Sequence, residues 1–280
     1  MSTRTPPPAP EPLPGPLVDS HCHLDICAAD GGPSVEHAMA QAREVGITKV
    51  VQVGCDVPSS RWAADIAAAN DDIWAAVALH PNEAPRLAAN EGPAALAAAW
   101  TVIDELADLP AVRAIGETGM DFFRTGEEGR AIQEESFRRH IQIAQRVGKT
   151  LVVHDRDSHD DVIRILDDEG SPETVVLHCF SGDADFAKAA ARRGWYCSFA
   201  GVVTFKNAVD LRAALVEVPA DRLLVETDAP FLTPVPYRGK PNGPYLVPLT
   251  VRAMAEVRGE PLDELIATIW DNSERAFGPL

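Results

Sequence analysis

Residues 17–25 read LVDSHCHLD, a short apolar run that closes on two histidines, His21 and His23. The same kind of run, rich in β-branched residues and ending in histidine, returns at TLVVH (150–154) and TVVLH (174–178). Near-continuous apolar strands are typical of parallel sheets, whose strands are buried on both faces. LVDSHCHLD therefore predicts the first strand of a parallel sheet, with polar side chains at its carboxyl end.

Alanine-rich and charged segments that suit helices separate the apolar runs along the whole chain. Five more runs complete a set of about eight predicted strands: KVVQV (49–53), IWAAVAL (73–79), VRAIG (112–116), WYCSF (195–199) and RLLVE (222–226). Alternation of strands with helices is the βαβ pattern, and eight such units need about 250 residues. The sequence predicts an α/β chain folded as a single (β/α)8 TIM-type barrel.

An open, doubly wound sheet is the alternative fold, but no GxGxxG sequence follows the first predicted strand, where a dinucleotide-binding sheet carries one. We place the barrel at residues 17–280. The preceding residues 1–16 contain many prolines, which favour extended conformations, and are predicted to be a disordered tail.

The net charge of −17 argues against a broad basic surface that would hold duplex nucleic acid. Bound divalent cations can still supply positive charge where a phosphate must lie. The five cysteines form no CxxC pair, so neither a thiolate zinc site nor a disulfide framework is indicated, and a cytoplasmic protein is predicted. No apolar run approaches the roughly 18 residues of a membrane span, and nothing in the sequence indicates a protein partner.

In a barrel of this kind the active face lies at the carboxyl ends of the strands. Ligand-type side chains fall at those positions in five of the predicted units: His21, His23, Glu117, His154, His178 and Asp228. Residues i and i+2 of a strand point to the same side, so His21 and His23 can converge while Cys22 faces away and packs. A lone histidine is by default structural, and we read His37, His80, His140 and His159 in that way.

Four imidazoles and two carboxylates exceed the protein ligands of one open catalytic ion, which predicts two divalent cations that share a bridging group. Glu117 is the predicted bridge. Asp228 is predicted to bind one ion and to orient or deprotonate the attacking water. Imidazoles suit zinc, whereas carboxylates and phosphate chemistry suit magnesium or manganese, so the metal is left open among the three.

Five separated motifs of this sequence, DSHCHLD, GETGMD, HDRD, LHCFSG and LLVETDAPFL, resemble in order and spacing those of the TatD family of metal-dependent hydrolases. SFAGVVTFKNA and PVPYRGKPN are most similar to its YcfH/YabD-type branch. The resemblance implies a TIM-type barrel with a divalent metal site and deoxyribonuclease activity. It implies the same six metal ligands.

The predicted function is that of a DNA-hydrolysing enzyme of class EC 3.1, in which a metal-bound hydroxide attacks the phosphodiester bond. A recessed barrel mouth favours exonuclease action on single-stranded or frayed ends. Arg156 is predicted to stabilise charge on the phosphoryl oxygens, or else to pair with Asp157 or another acidic neighbour. Arg238 and Lys240 are predicted to guide the DNA backbone.

Three aromatic residues near the predicted site, Phe180, Phe205 and Tyr237, are candidates for stacking on unpaired bases or for the core. Two other functions stay open at this point. One is an amidohydrolase-type enzyme that cleaves a small-molecule C–N or ester bond, although such enzymes commonly carry a modified lysine where this chain has Glu117. The other is a catalytically silent binding scaffold, against which stands the presence of all six ligand residues.

Overall fold

The computed structural model describes residues 5–278, which contain eight β-strands. They are β1 (Leu17–Cys22), β2 (Ile47–Val53), β3 (Ile73–Val77), β4 (Val112–Asp121), β5 (Thr150–Arg156), β6 (Val175–Leu177), β7 (Tyr196–Phe199) and β8 (Leu223–Val225). Each overlaps one of the eight predicted apolar runs. Their side chains are almost all buried, as the parallel sheet requires.

Helices occupy the intervals between the strands and follow the last one. They are α1 (Leu24–Ala29), α2 (Val35–Glu44), α3 (Val57–Ala68), α4 (Glu83–Glu91), α5 (Pro93–Ala107), α6 (Glu127–Val147), α7 (His159–Glu169), α8 (Ala184–Arg192), α9 (Val209–Glu217), α10 (Val247–Arg258) and α11 (Leu262–Phe277). Short 3₁₀ turns lie at Gly201–Thr204, Ala220–Arg222 and Pro244–Leu246. Among the described residues, no helix combines the length and the apolar character that crossing a bilayer demands.

The strands form one sheet in chain order, β1-β2-β3-β4-β5-β6-β7-β8. The pairs β1–β2, β3–β4, β4–β5, β5–β6 and β7–β8 are parallel. Beyond β8, Ala229 forms a parallel bridge with Cys22 at the end of β1. Eight parallel strands in sequential order with helices between them are the (β/α)8 arrangement, so the predicted fold class is confirmed.

The chain divides into two compact units, which we call the terminal unit and the central unit. The terminal unit comprises the described residues up to 52 and from 182 onwards, and the central unit is Val53–Ser181. The terminal unit thus holds the first and last strands, while the central unit holds β3 to β6.

Two glycines of GETGMD in the central unit allow β4 to approach β5 closely. Gly116 and Gly119 have φ of 158° and 139°, backbone angles that residues with a side chain rarely adopt. A Cβ atom on Gly119 would overlap the carbonyl of His154, and one on Gly116 would overlap Val152. These contacts set the close β4–β5 approach at Glu117, which lies between the two glycines.

Part of the segment 1–16, for which the sequence predicts a disordered tail, makes contacts within the terminal unit. Residues 1–4 lie outside the described part of the chain, but Leu13 is buried and its N–H donates to Val45 O. Tyr245 Oη donates to Pro7 O at 3.1 Å, and Arg252 donates to the carbonyls of Glu11 and Pro12. Proline lacks a donor but keeps its carbonyl, so an extended Pro-rich segment can be fixed by side chains that donate to it.

Candidate metal centre

The terminal unit brings together three of the predicted ligands. His21 and His23 are buried and their rings meet edge to face, with centroids 5.1 Å apart. The Oδ1 atom of Asp228 lies 3.5 Å from His23 Nε2 and 3.9 Å from His21 Nε2. Between the two histidines, the Sγ atom of buried Cys22 approaches the Val51 carbonyl at 3.6 Å, which agrees with a packing role.

Main-chain hydrogen bonds fix Asp228 beside the end of β1. Its N–H donates to His21 O at 2.9 Å, and the N–H of His23 donates to Ala229 O at 2.8 Å. Asp228 has φ of 52°, a left-handed conformation that is uncommon outside glycine and costs free energy unless the surroundings hold it. The carboxylate is therefore positioned by the backbone that carries it.

A second carboxyl group, Asp19, lies at the base of this group and was not assigned a role from the sequence. Its side chain accepts hydrogen bonds from Thr227 N at 2.8 Å and Thr227 Oγ1 at 2.5 Å. Burial raises the pKa of Asp19 to about 7, against these hydrogen bonds and with a further rise from the nearby Glu226. Asp19 thus ties the residue before Asp228 to β1.

The central unit brings together the other three predicted ligands around one carboxylate oxygen. Oε1 of Glu117 lies 2.6 Å from His154 Nδ1 and 3.0 Å from His178 Nε2. His80 Nε2 is 3.3 Å from the same oxygen. The sequence predicts a structural role for His80, whereas the structure places it in this group.

The signal for His80 was present in the sequence. It ends the run IWAAVALH just beyond β3, as His154 and His178 end or follow the runs of β5 and β6. With Glu117, which lies inside β4, each of the four strands of the central unit is followed by or contains a residue of this group.

The charges of this group support one another. Burial opposes the ionised form of Glu117, but the imidazoles of His178 and His80 and hydrogen bonds from His154 and His178 outweigh it, so its pKa lies well below its usual range. Burial also opposes a charged His154, yet hydrogen bonds to Asp121 and Glu117 raise its pKa. Glu117 is therefore a carboxylate at neutral pH, as a metal ligand must be.

Asp121 lies on the far side of His154 and was also missed. Its Oδ2 atom is 3.2 Å from His154 Nε2 and accepts a hydrogen bond from Asn82 Nδ2 at 2.9 Å. Hydrogen bonds to one ring nitrogen of a metal-binding histidine orient the other towards the ion. Asp121 is placed to orient Nδ1 of His154 towards Glu117.

The donors present fit a divalent cation. One ligand atom each from His80, Glu117 and His154 lies within 4.8 Å of the others. Nitrogen and oxygen ligands at about 2.1 Å from an ion, separated by about 90–109°, are roughly 3.0–3.4 Å from one another. Glu117 Oε1 lies within this range of His178 and His80, at 3.0 and 3.3 Å, whereas its 2.6 Å contact with His154 is shorter. Imidazole donors suit zinc and carboxylate donors suit magnesium or manganese, so these residues fit any of the three predicted ions.

The three residues predicted to contact the substrate are exposed, and the two arginines among them stack on aromatic rings. The guanidinium of Arg156 lies over the Phe123 ring at 3.9 Å, and no ion pair with Asp157 forms. Arg238 lies over Phe205 at 4.3 Å, and Lys240 is exposed on the same long loop. These contacts leave the charged groups of Arg156 and Arg238 open to solvent.

The other aromatic and histidine residues considered from the sequence differ in their burial and contacts. Phe180 and Phe205 are buried, whereas Tyr237 is half-buried. His37 is exposed on α2, and His140 and His159 hydrogen-bond to Ser136 O and Asp155 respectively. Those three histidines therefore lie outside the groups around Glu117 and Asp228.

Comparison with known proteins gives consistent results. Residues 18–278 match the family model described as TatD related DNase. A Mycobacterium tuberculosis protein named uncharacterized metal-dependent hydrolase TatD is 42% identical over 94% of this chain and 98% of its own length. The Bacillus subtilis protein named uncharacterized metal-dependent hydrolase YabD is 36% identical, over 93% of this chain and 98% of its own.

Among solved structures, the fold is similar to that of YJJV, a TatD homolog from Escherichia coli. The TM-score is 0.84 at 24% identity, over 94% of this chain and 98% of that one. This similarity supports the fold assignment.

Proposed function

The chain belongs to the family of TatD related DNases, whose curated members are named metal-dependent hydrolases, and we propose that it is a metal-dependent deoxyribonuclease. The proposed reaction is hydrolysis of DNA phosphodiester bonds, as an exonuclease on single-stranded or frayed ends. The observation that carries this proposal is the contact of one buried carboxylate, Glu117, with three imidazoles.

Six side chains are the proposed ligands of two divalent cations: His21, His23, Glu117, His154, His178 and Asp228. Such ions polarise a phosphate and lower the pKa of water. Contacts within the protein position these groups, because Glu117 and His154 are in contact and Asp228 is held by its backbone. His80 is a further candidate ligand or partner of Glu117.

Asp228 is the proposed acceptor of the proton that the attacking water loses. Its side chain is 15% exposed, whereas that of Glu117 is 5% exposed, so Asp228 is the carboxylate that water reaches more easily. A carboxylate within hydrogen-bond reach of the nucleophile can orient it and take its proton.

Arg156 is the proposed partner of the charge that develops on the phosphoryl oxygens. It ends β5 two residues after His154, so both side chains project from the same face of the strand. Its lack of an ion pair within residues 5–278 keeps the guanidinium available for bidentate contact with a phosphate. Arg238 and Lys240 are proposed to follow the DNA backbone from the long loop after β8.

The test is hydrolysis of end-labelled DNA by protein first stripped with chelator and then supplied with Mg²⁺, Mn²⁺ or Zn²⁺. We expect activity only with added ion, higher rates on single-stranded than on duplex ends, and no faster cleavage of closed circular than of linear DNA. Glu117→Gln should abolish activity, whereas the matched control Glu135→Gln, at an exposed position on α6, should retain it.

Two results would overturn the proposal. One is turnover of a cyclic amide with no DNA cleavage, which would favour the amidohydrolase alternative. The other is equal DNA cleavage by the wild type and Glu117→Gln, which would assign the activity to a contaminant.

A further inference from the structure

Phe123 is an exposed aromatic residue just beyond β4 in the central unit. It is 60% exposed, the most exposed phenylalanine among the large hydrophobic residues of the described chain. The preceding Phe122 lies under Arg130, with the guanidinium 4.0 Å from its ring. The pair FF therefore divides into one half-buried ring and one ring presented to solvent.

The backbone at Phe123 is fixed by hydrogen bonds although its side chain is exposed. Oδ1 of Asp121 accepts hydrogen bonds from the N–H groups of Phe123 at 3.0 Å and Arg124 at 2.8 Å. The other oxygen of Asp121 is the one that contacts His154. A single carboxylate thus connects a proposed metal ligand to the turn that carries the exposed ring.

Arg156 is fixed beside this ring from β5. Its backbone pairs with Asp121 in the β4–β5 register, and its carbonyl accepts a hydrogen bond from Phe122 N at 2.9 Å. Its guanidinium then lies 3.9 Å from the centroid of Phe123, a cation–π distance. Arg156 stands about 7 Å along the strand from His154, since each residue of a strand advances about 3.3 Å.

The lack of a carboxylate partner for Arg156 is informative in so acidic a chain. Arg138, Arg146 and Arg164 each pair with two or more acidic groups on the helices. Within residues 5–278, neither Arg156 nor Arg124 has an ion pair. The exposed ring of Phe123 therefore lies beside positive charge that has no acidic partner among the described residues.

We infer that Phe123 and Arg156 form a docking platform for an unpaired nucleobase of the strand being cut. An aromatic face or a guanidinium plane stacks on any base, and the same guanidinium can contact the adjoining phosphate. Duplex ends would have to fray before a base reached the ring, so the platform favours single strands. The inference rests on the proposed phosphodiesterase function and names how that site receives its substrate.

The experiment compares a single-stranded oligonucleotide with a fully abasic strand of the same length, for hydrolysis and for binding by fluorescence anisotropy. Phe123→Ala should weaken binding and raise the Michaelis constant for the normal strand about tenfold, and should leave both unchanged for the abasic strand. Phe123→Trp should behave as the wild type. The matched control Leu109→Ala removes another exposed apolar side chain, 41% exposed between α5 and β4, and should change nothing.

The outcomes separate this inference from the proposed function. If Phe123→Ala has no effect on the normal strand, or impairs both strands equally, the platform is wrong. If the wild type hydrolyses neither strand, the proposed function fails, while the binding data still decide the platform through the difference between the two strands.

Discussion

The two groups of proposed ligands differ in how their carboxylate is held. In the terminal unit, Asp228 stays 3.5 Å or more from both imidazoles and is positioned by main-chain hydrogen bonds in a left-handed conformation. In the central unit, Glu117 is in direct contact with three imidazoles, and that contact keeps its pKa well below the usual range.

This difference separates two ways of preparing a metal site. The backbone holds Asp228 whether or not its side chain is charged, so changes to the side chain should affect chemistry more than folding. Glu117 is buried among groups whose protons it stabilises, so changes there should affect both. Substitutions of the two carboxylates should therefore differ in how much unfolding free energy is lost for a given loss of activity.

The largest expected effect is that of Glu117→Gln. Loss of the charge removes a ligand and leaves buried imidazoles without their counter-charge. We expect activity to fall by about 10³-fold or more, beyond the roughly 100-fold that orienting partners supply, and the metal-free protein to lose about 3 kcal/mol of unfolding free energy. Steady-state kinetics and urea denaturation measure the two, and unchanged stability would remove the contrast between the units.

Asp228→Asn should show the opposite balance. We expect a roughly 100-fold loss of turnover, because an amide cannot take a proton from water, with a change in unfolding free energy below about 1 kcal/mol. The backbone bonds of Asp228 do not need the carboxylate. A stability loss as large as that of Glu117→Gln would contradict the backbone-held arrangement.

Acid should loosen the central unit through His140. Its Nε2 accepts from Leu79 N at 3.0 Å, so Nδ1 carries the proton and faces Ser136 O. Burial lowers the pKa of His140 to about 4, below the 6.5 of an unfolded chain, so the unfolded state binds more protons between those values. This contribution to stability is complete above pH 6.5 and is lost as the pH falls towards 4.

The loss from His140 should reach about 2 kcal/mol at pH 5 relative to pH 8. Hydrogen exchange of the metal-free protein should show the Leu79 amide exposed by acid before the Asp228 amide. His140→Gln keeps an acceptor for Leu79 and should remove this dependence, whereas the exposed His37→Gln should preserve it. Equal acid sensitivity of the Leu79 and Asp228 amides would contradict the prediction that His140 makes the central unit the more acid-sensitive one.

The smallest effect is expected from Asp121→Asn, which keeps the shape of the side chain but weakens its hold on His154. We expect about a tenfold loss of metal affinity, since outer hydrogen-bond partners of ligands contribute 10- to 100-fold. Calorimetric titration with Mn²⁺ measures it. A change as large as that of Glu117→Gln would indicate that Asp121 is itself a ligand.

The sequence was sufficient for the fold because strands buried on both sheet faces appear as apolar runs. The candidate ligands could be found because they lie at the ends of those runs. Every predicted strand was confirmed, and residues 17–25 mark the first of them. Strand alternation predicted that His21 and His23 would converge, although β1 ends at Cys22 and His23 is the residue before α1. The sequence shows the two glycines of GETGMD beside Glu117, but not that they let β4 approach β5 closely.

Other features depended on contacts that no local pattern encodes. His80 ends its run three residues after the last residue of β3, and its proximity to Glu117 comes from the packing of neighbouring strands. Asp121 and Phe123 gain their roles from a turn that one carboxylate closes. In the segment 5–16, the carbonyls of Pro7 and Glu11 accept hydrogen bonds from the distant side chains of Tyr245 and Arg252, which composition alone does not reveal.

The most direct test of the proposed metal-dependent nuclease is a metal titration of the stripped wild type that records bound ion and hydrolysis of end-labelled single-stranded DNA on the same samples. We expect hydrolysis to rise in step with occupancy, to saturate at two ions per chain, and to vanish on chelation. Glu117→Gln prepared in parallel should bind fewer ions and cut no DNA. Saturated metal binding with no hydrolysis, or hydrolysis that persists in the stripped protein, would contradict the proposal.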